Sequence, residues 1–181
     1  VIFRFGNGVE VRFNDARRFG MLDITRTTQV DVHALMAHIG PEPLGNSFSP
    51  SYLQDRLKGS RAPIKSALLD QRVVAGLGNI YVNEALARAG ISPLRKAGRI
   101  SGDRLVPLVR HIRDVLNEAI AAGGSSLRDH RQTNGELGYF QHQFRVYDQE
   151  GADCPTDGCT GVIRRVVQSG RSTFYCPKCQ R

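Results

Sequence analysis

All four cysteines of this chain fall within its last 28 residues, as Cys154, Cys159, Cys176 and Cys179. A disulfide scaffold spreads its cysteines and follows a secretory signal, and neither pattern holds here. Two close pairs separated by 16 residues match a tetrahedral zinc site, with each pair on a tight knuckle and a hairpin bringing the knuckles together. The second pair, Cys176-Pro-Lys-Cys179, has the usual two-residue knuckle. The first, Cys154-Pro-Thr-Asp-Gly-Cys159, is two residues longer, with Pro155 and Gly158 able to make the turn. One structural zinc is therefore expected, in preference to two disulfides or free thiols. The 38 residues from Phe144 to Arg181 cannot bury enough apolar surface alone. Zinc, worth on the order of 10 kcal/mol in small finger peptides, would hold that piece together.

The chain has 181 residues, 40% hydrophobic and 23% charged, which suits one large or two small globular domains and excludes a disordered chain. No apolar run approaches the roughly 18 residues of a membrane helix. The opening Val1-Ile2-Phe3-Arg4-Phe5 does not match a secretory signal, so the cytoplasm is the expected compartment. Lys and Arg number 25 against 17 Asp and Glu, a net charge of +8, and most of the cations are arginine. Such a surface seeks polyanions, nucleic acid first, and arginine favours bidentate phosphate or base contacts. Ribosomal proteins and transcription factors share this charge, so it narrows the partner without fixing the activity.

Alternation of Val1, Phe3 and Phe5, then Val9, Val11 and Phe13, around Gly6-Asn7-Gly8 predicts a hairpin. A third strand is expected over Met21 to Thr27. From Asp31 to Gly124 the punctuation is helical. Asp31 is expected to cap a short helix ending at Gly40-Pro41, and Ser49-Pro50 to start another that ends at Gly59. Pro63 opens a third, and Gly76-Leu77-Gly78-Asn79 precedes a fourth from Ile80 to Ala89. The longest carries Leu105, Leu108, Val109, Ile112, Leu116, Ala119 and Ile120 on one stripe. Pro107 argues for a start near Val106 or else a kink, the late start being preferred. Ser125 to Gln143 reads as loop. The zinc hairpin is expected to have arms Thr160–Gln168 and Ser172–Tyr175, with Ser169-Gly170-Arg171 at its tip.

Three segments offer chemistry. From Arg164 to Arg181 there are five cations and no acidic side chain, so the hairpin is either a groove-binding finger or a structural ribbon with a solvated basic face. The glycines ahead of Asn79 either let a phosphate approach a helix N-terminus or permit close helix packing. Asp15-Ala16-Arg17-Arg18-Phe19-Gly20 either inserts an aromatic wedge flanked by cations into DNA or is a turn with solvated arginines. None of the five histidines has metal-ligand spacing, and Glu84 and Glu118 read as structural.

Together, Asn14-Asp15-Ala16-Arg17-Arg18-Phe19-Gly20, the stretch Leu69-Asp70-Gln71 to Asn83-Glu84 with Gly76-Leu77-Gly78-Asn79-Ile80-Tyr81 inside it, and Gly170-Arg171-Ser172-Thr173-Phe174-Tyr175-Cys176-Pro177-Lys178-Cys179-Gln180 resemble bacterial formamidopyrimidine-DNA glycosylases, in order and spacing and over the whole chain. The related endonuclease VIII branch fits the last of these runs less well. The resemblance implies an α+β architecture: strands remaining from an N-terminal β-sandwich (1–30), a helical helix-two-turn-helix DNA-binding domain (31–143) and a C-terminal zinc-finger β-hairpin (144–181). It implies base-excision repair: removal of oxidised purines such as 8-oxoguanine and formamidopyrimidines, then cleavage of the abasic strand by β,δ-elimination. Flipping a base out of the stack needs a wedge and grips on the backbone. By resemblance Phe19 is the wedge, Arg17 reaches the orphaned cytosine, and Arg18, Arg61, Asn79 and Lys65 hold phosphates. Arg171 would take the catalytic part in δ-elimination, and Thr133 to Tyr139 would close over the flipped base. The implied partner is double-stranded DNA with an oxidised purine or abasic site, engaged by a monomer in the bacterial cytoplasm.

The sequence departs from the resemblance at its start. Relatives of this type open with a proline nucleophile followed by glutamate and use a lysine in the N-terminal sheet, and this chain has none of the three. Val1 is followed by Ile2 and Phe3, with no carboxylate beside it. The chain is therefore expected to be the C-terminal two-thirds of such an enzyme, to bind damaged DNA and not to excise. A non-enzymatic zinc-ribbon DNA-binding protein is the alternative; an RNA-binding zinc protein would have few stacking platforms at 7% aromatic residues and no Trp.

Overall fold

The computed structural model describes residues 1–15, 18–126 and 135–181. They form two compact units, Val1–Ala37 and His38–Arg181.

In the first unit β1 (Ile2–Arg4) pairs antiparallel with β2 (Glu10–Arg12), in the register Ile2↔Arg12, Phe3↔Val11 and Arg4↔Glu10. Asn7 Oδ1 accepts the Val9 N–H, and Gly8 supplies the left-handed residue of the turn at φ +82°. The third strand expected over Met21 to Thr27 is not formed. Residues 21–26 are irregular, and a 3₁₀ turn occupies Thr27–Val32. Strand-forming residues make a strand only where a ladder partner is in register. Nor does Asp31 cap a helix: it lies inside the 3₁₀ turn, whose entry has no side-chain cap.

The second unit is built from four helices and a hairpin. In α1 (Pro50–Leu57) Pro50 is the first helical residue, and Ser49 Oγ accepts the Tyr52 N–H at 3.1 Å. The short α2 (Ile64–Leu68) and the helix α3 (Asn79–Arg88) follow, and α4 (Gly102–Ala121) is the longest. Their apolar faces meet in one core, where Phe48, Leu53, Ile64, Leu86, Leu108 and Phe140 are fully buried. Helix α4 begins at Gly102, earlier than its proline suggests, and runs through Pro107. The missing Pro107 N–H leaves one backbone bond unmade, but starting the helix early buries Leu105 in the core beside Leu108 and Val109.

The final segment folds around a second, smaller core of Val146, Cys154, Ile163, Phe174 and Cys176. Its hairpin pairs β3 (Arg164–Gln168) with β4 (Arg171–Tyr175). The first arm is shorter than expected because residues 160–163 bond elsewhere. The Gly161 carbonyl accepts the Cys154 N–H, and the Ile163 N–H donates to the Ala152 carbonyl. The tip is the two-residue turn Ser169-Gly170, both at positive φ (48° and 74°), which suits the twist of a tight hairpin. Arg171 is thus the first residue of β4, opposite Gln168.

Candidate functional site

The four cysteine sulfurs all lie within 4.8 Å of one another, with Cys154–Cys179 at 3.5 Å and Cys159–Cys176 at 3.7 Å. Four thiolates at Zn–S distances of about 2.3 Å would be roughly 3.8 Å apart, so the cage fits one tetrahedral ion. In the longer first knuckle, the Cys159 N–H donates to the Thr156 carbonyl and Gly158 takes φ +71°, so the extra residues close a turn of their own. In the second, the Cys176 N–H donates to Gln180 Oε1, while the Gln180 side chain donates to the Ile91 carbonyl. Gly161 has no substitute: a Cβ there would lie 2.5 Å from the Cys176 sulfur. Four protein sulfurs leave no open position for substrate, so the zinc is structural.

Side chains from α2 and α3 hold this finger. Glu84 is fully buried, and its carboxylate accepts three consecutive backbone N–H groups, from Arg145 (2.9 Å), Val146 (3.0 Å) and Tyr147 (2.8 Å). Asn83, one residue earlier, accepts the Phe174 N–H of β4 at 2.9 Å and donates to the Asn79 carbonyl. Lys65 is also fully buried, its ammonium donating to the Ser172 carbonyl (2.9 Å) and Thr173 Oγ1 (2.7 Å). Burial, helped by the nearby Arg171 charge, pushes the Lys65 pKa down to about 8. The Thr173 hydroxyl in turn donates to Gln168 Oε1 at 2.9 Å, closing the network across the hairpin.

Asn79 joins the same junction. Its Nδ2 donates to the Ser172 carbonyl at 3.1 Å, and its Oδ1 is buried without a hydrogen-bond partner. The first turn of α3 receives no side-chain cap. Neither glycine ahead of it is demanded by packing. A Cβ on Gly76 would meet open space and one on Gly78 only ordinary contact with Tyr81, while Gly76 is required for its φ of +68°. Lys65, from a fully buried position, and Asn79 therefore converge on one acceptor, the Ser172 carbonyl, immediately after Arg171 at the start of β4. Arg61 is exposed on the loop just before α2.

In the first unit Arg18 adopts a left-handed backbone (φ 57°), and Asp15 Oδ2 accepts the Gly20 N–H at 2.5 Å. This turn leaves the Phe19 ring 83% exposed, where a ring folded onto a core would be covered. Arg17 lies outside the described residues, as do Thr133 and Asn134 of the expected closing loop. Sequence reasoning missed Asn83, Thr173 and Gln168. Asn83 alone left a signal, as a polar residue one helical turn after Asn79.

Residues 39–131 match the family model described as the formamidopyrimidine-DNA glycosylase H2TH domain, and residues 154–181 match the zinc finger found in FPG and IleRS. The chain is 67% identical over all 181 residues to the formamidopyrimidine-DNA glycosylase of Dinoroseobacter shibae and 62% identical to that of a Ruegeria species, and it spans 64% of the length of each. Among solved structures, MutM (Fpg) of Thermus thermophilus superposes with a TM-score of 0.85 at 42% identity, over 96% of this chain and 65% of that one. A Lactococcus lactis FPG complexed with DNA containing an abasic site superposes with a TM-score of 0.82 at 36% identity, over 92% of this chain and 60% of that one. With the helical region and the four-cysteine finger both matched, the chain belongs to the formamidopyrimidine-DNA glycosylase family.

Proposed function

We propose that this chain is the DNA-gripping part of a bifunctional DNA glycosylase/AP lyase. That enzyme removes oxidised purines such as 8-oxoguanine and formamidopyrimidines and nicks the abasic strand by β,δ-elimination. The observation that carries this reading is that Lys65 and Asn79 both donate to the Ser172 carbonyl, beside Arg171 at the tip end of the zinc hairpin. Two side chains from separate helices thus brace the backbone that carries the exposed Arg171, Lys65 from the buried side of the hairpin. An arginine braced in this way, with Asn79 beside it, suits the phosphates flanking a damaged nucleotide and a part for Arg171 in δ-elimination. Arg18 and Arg61 add backbone grips, Arg17 the contact to the unpaired base, and the exposed Phe19 ring the wedge that fills the gap when a base is flipped. The division into strands 1–30, a helical domain 31–143 and a finger 144–181 belongs to this proposal. So do action as a monomer on double-stranded DNA and a place in the bacterial cytoplasm. Among the described residues no helix is long and apolar enough to cross a membrane.

Taken alone, these 181 residues bind damaged duplex without excising a base, because none of them supplies the proline, glutamate and lysine that such chemistry uses. The test is competition binding at near-physiological salt between a duplex with a central abasic-site analogue and the same duplex intact, using the zinc-loaded chain. A clear abasic preference that shrinks in Phe19→Ala is expected. Equal affinity for both duplexes in the unaltered chain would favour a plain zinc-ribbon DNA-binding protein. Borohydride trapping of a covalent adduct by this chain would overturn the division of labour.

A further inference from the structure

We propose that the depression between residues 59–61 and 96–99 is a second seat for a duplex phosphodiester, held by Lys96 and Arg99 beside Arg61. The inference rests on the duplex-binding reading and extends it to residues with no part in lesion recognition. The depression has a volume of about 200 Å³ and is lined by Gly59, Ser60, Arg61, Lys96, Gly98 and Arg99. Three of its six residues are cations and none is acidic.

The backbone beneath it is rigid. The Ile64 N–H donates to the Arg95 carbonyl (2.8 Å), the Ala97 N–H to the Ala62 carbonyl (2.9 Å) and the Gly98 N–H to the Ser60 carbonyl (3.0 Å). Gly98 brings the two segments as close as backbones can come, since a Cβ there would lie 2.8 Å from the Ser60 nitrogen. Ala97 and Ile100 are buried in the main core and pin the turn that presents Arg99. The cations therefore start from a fixed ribbon, which lowers the ordering cost of gripping a ligand.

Elsewhere among the described residues four arginines are neutralised by carboxylates. Arg72 is paired with Asp70, Arg88 with Glu118, and Arg4 and Arg12 with Glu10. Arg61, Lys96 and Arg99 are exposed and form no ion pair with any described residue. A concave cluster of three unneutralised cations, two of them arginines with bidentate donors, is complementary to a phosphodiester. Arg61 stands four residues before Lys65, so the cluster continues along the chain from the junction already described.

The test measures binding of the zinc-loaded chain to an abasic duplex and its intact counterpart by fluorescence anisotropy across a salt series. The double variant Lys96→Ala/Arg99→Ala is compared with the charge-matched Arg26→Ala/Arg110→Ala. Losing two phosphate contacts should lower the slope of log K against log salt by about 1.8, equivalent at 0.1 M to roughly an 8-fold loss for each contact and 60-fold for both. The ratio between abasic and intact duplex should not change. An unaltered slope in Lys96→Ala/Arg99→Ala, or the same loss in the charge-matched variant, would overturn the proposal. Failure of the unaltered chain to bind any duplex would remove the duplex-binding reading and this seat together. A lowered slope without any abasic preference would leave the seat standing while the repair reading fell.

Discussion

The described residues contain two antiparallel hairpins of similar sequence logic, each with alternating side chains around a tight turn containing glycine, of three residues (Gly6-Asn7-Gly8) in the first and two (Ser169-Gly170) in the second. Every residue of β1 and β2 is exposed, including Ile2, Phe3 and Val11. In the other hairpin Thr173 and Phe174 are buried, and the strand carrying them is tied to α2 and α3 by Lys65 and Asn83. Two strands alone cannot cover their own apolar side chains. Pairing register is therefore a local property that both hairpins possess, whereas the zinc hairpin adds burial and cross-links to the helices of its own unit. The proposed contact of Arg171 with a phosphate needs those cross-links.

Removing zinc is the strongest way to break the contrast. Chelation, or Cys176→Ser, should release on the order of 10 kcal/mol of folding free energy from the finger. The helical core should survive, because its buried cluster contains none of the cysteines. Zinc analysis together with far-UV circular dichroism checks this: helix signal retained, hairpin amide protection lost and abasic-duplex binding abolished. Loss of the whole helical signal would show that the two cores fold as one.

Next in size is Glu84→Ala, which strands three backbone N–H groups at the entrance to the finger. A cost of about 3 kcal/mol or more is expected in urea denaturation, since buried donors left without acceptors cost about 1–3 kcal/mol each. Hydrogen exchange at residues 145–147 should accelerate. A change below about 1 kcal/mol would mean that the finger holds its place through zinc alone.

Lys65 sharpens the comparison through pH. Its folded-state pKa lies near 8, below the ordinary lysine value of 10.5, so between these limits the unfolded chain binds more protons than the folded one. Stability should therefore rise with pH across that window in the unaltered chain, relative to Lys65→Met, in which that group no longer titrates. Parallel stability–pH curves for the two proteins would count against a buried, cationic Lys65.

The smallest effects belong to the exposed hairpin. Val11→Thr in β2 should alter stability by less than about 0.5 kcal/mol, as expected at a solvated site. The equivalent Phe174→Thr in β4 would instead cost several kcal/mol, by emptying a place in the small core. Similar melting shifts for the two substitutions would erase the distinction between the hairpins.

Much of this organisation was legible in the residues. Spacing placed the cysteine cage, Ser49-Pro50 placed the start of α1, and the apolar stripe from Leu105 to Ala119 placed α4 against a core, although Ile120, expected on the same stripe, is exposed. These features are local: a knuckle, a cap and a 3.6-residue period each depend on a few neighbours along the chain. Pro107 misled on the start of α4 because its cost is local, while the compensating burial of Leu105 is supplied by distant helices. The expected strand at Met21 to Thr27 failed for the same reason, since no sequence window contains a strand's partner.

The sequence by itself determined the zinc ligands, the helical punctuation, the basic surface and the motifs of the family, because residue type and short-range spacing specify metal chemistry, turns and charge. Only the tertiary structure decided that Glu84 clamps the finger's stem, that Lys65 turns inward to the hairpin backbone, and that Arg61, Lys96 and Arg99 share one depression. Those contacts join residues that lie 35 to 108 positions apart. Chain separation carries no information about such meetings until packing brings the elements together, and burial then decides whether a charge serves the interior or faces a ligand.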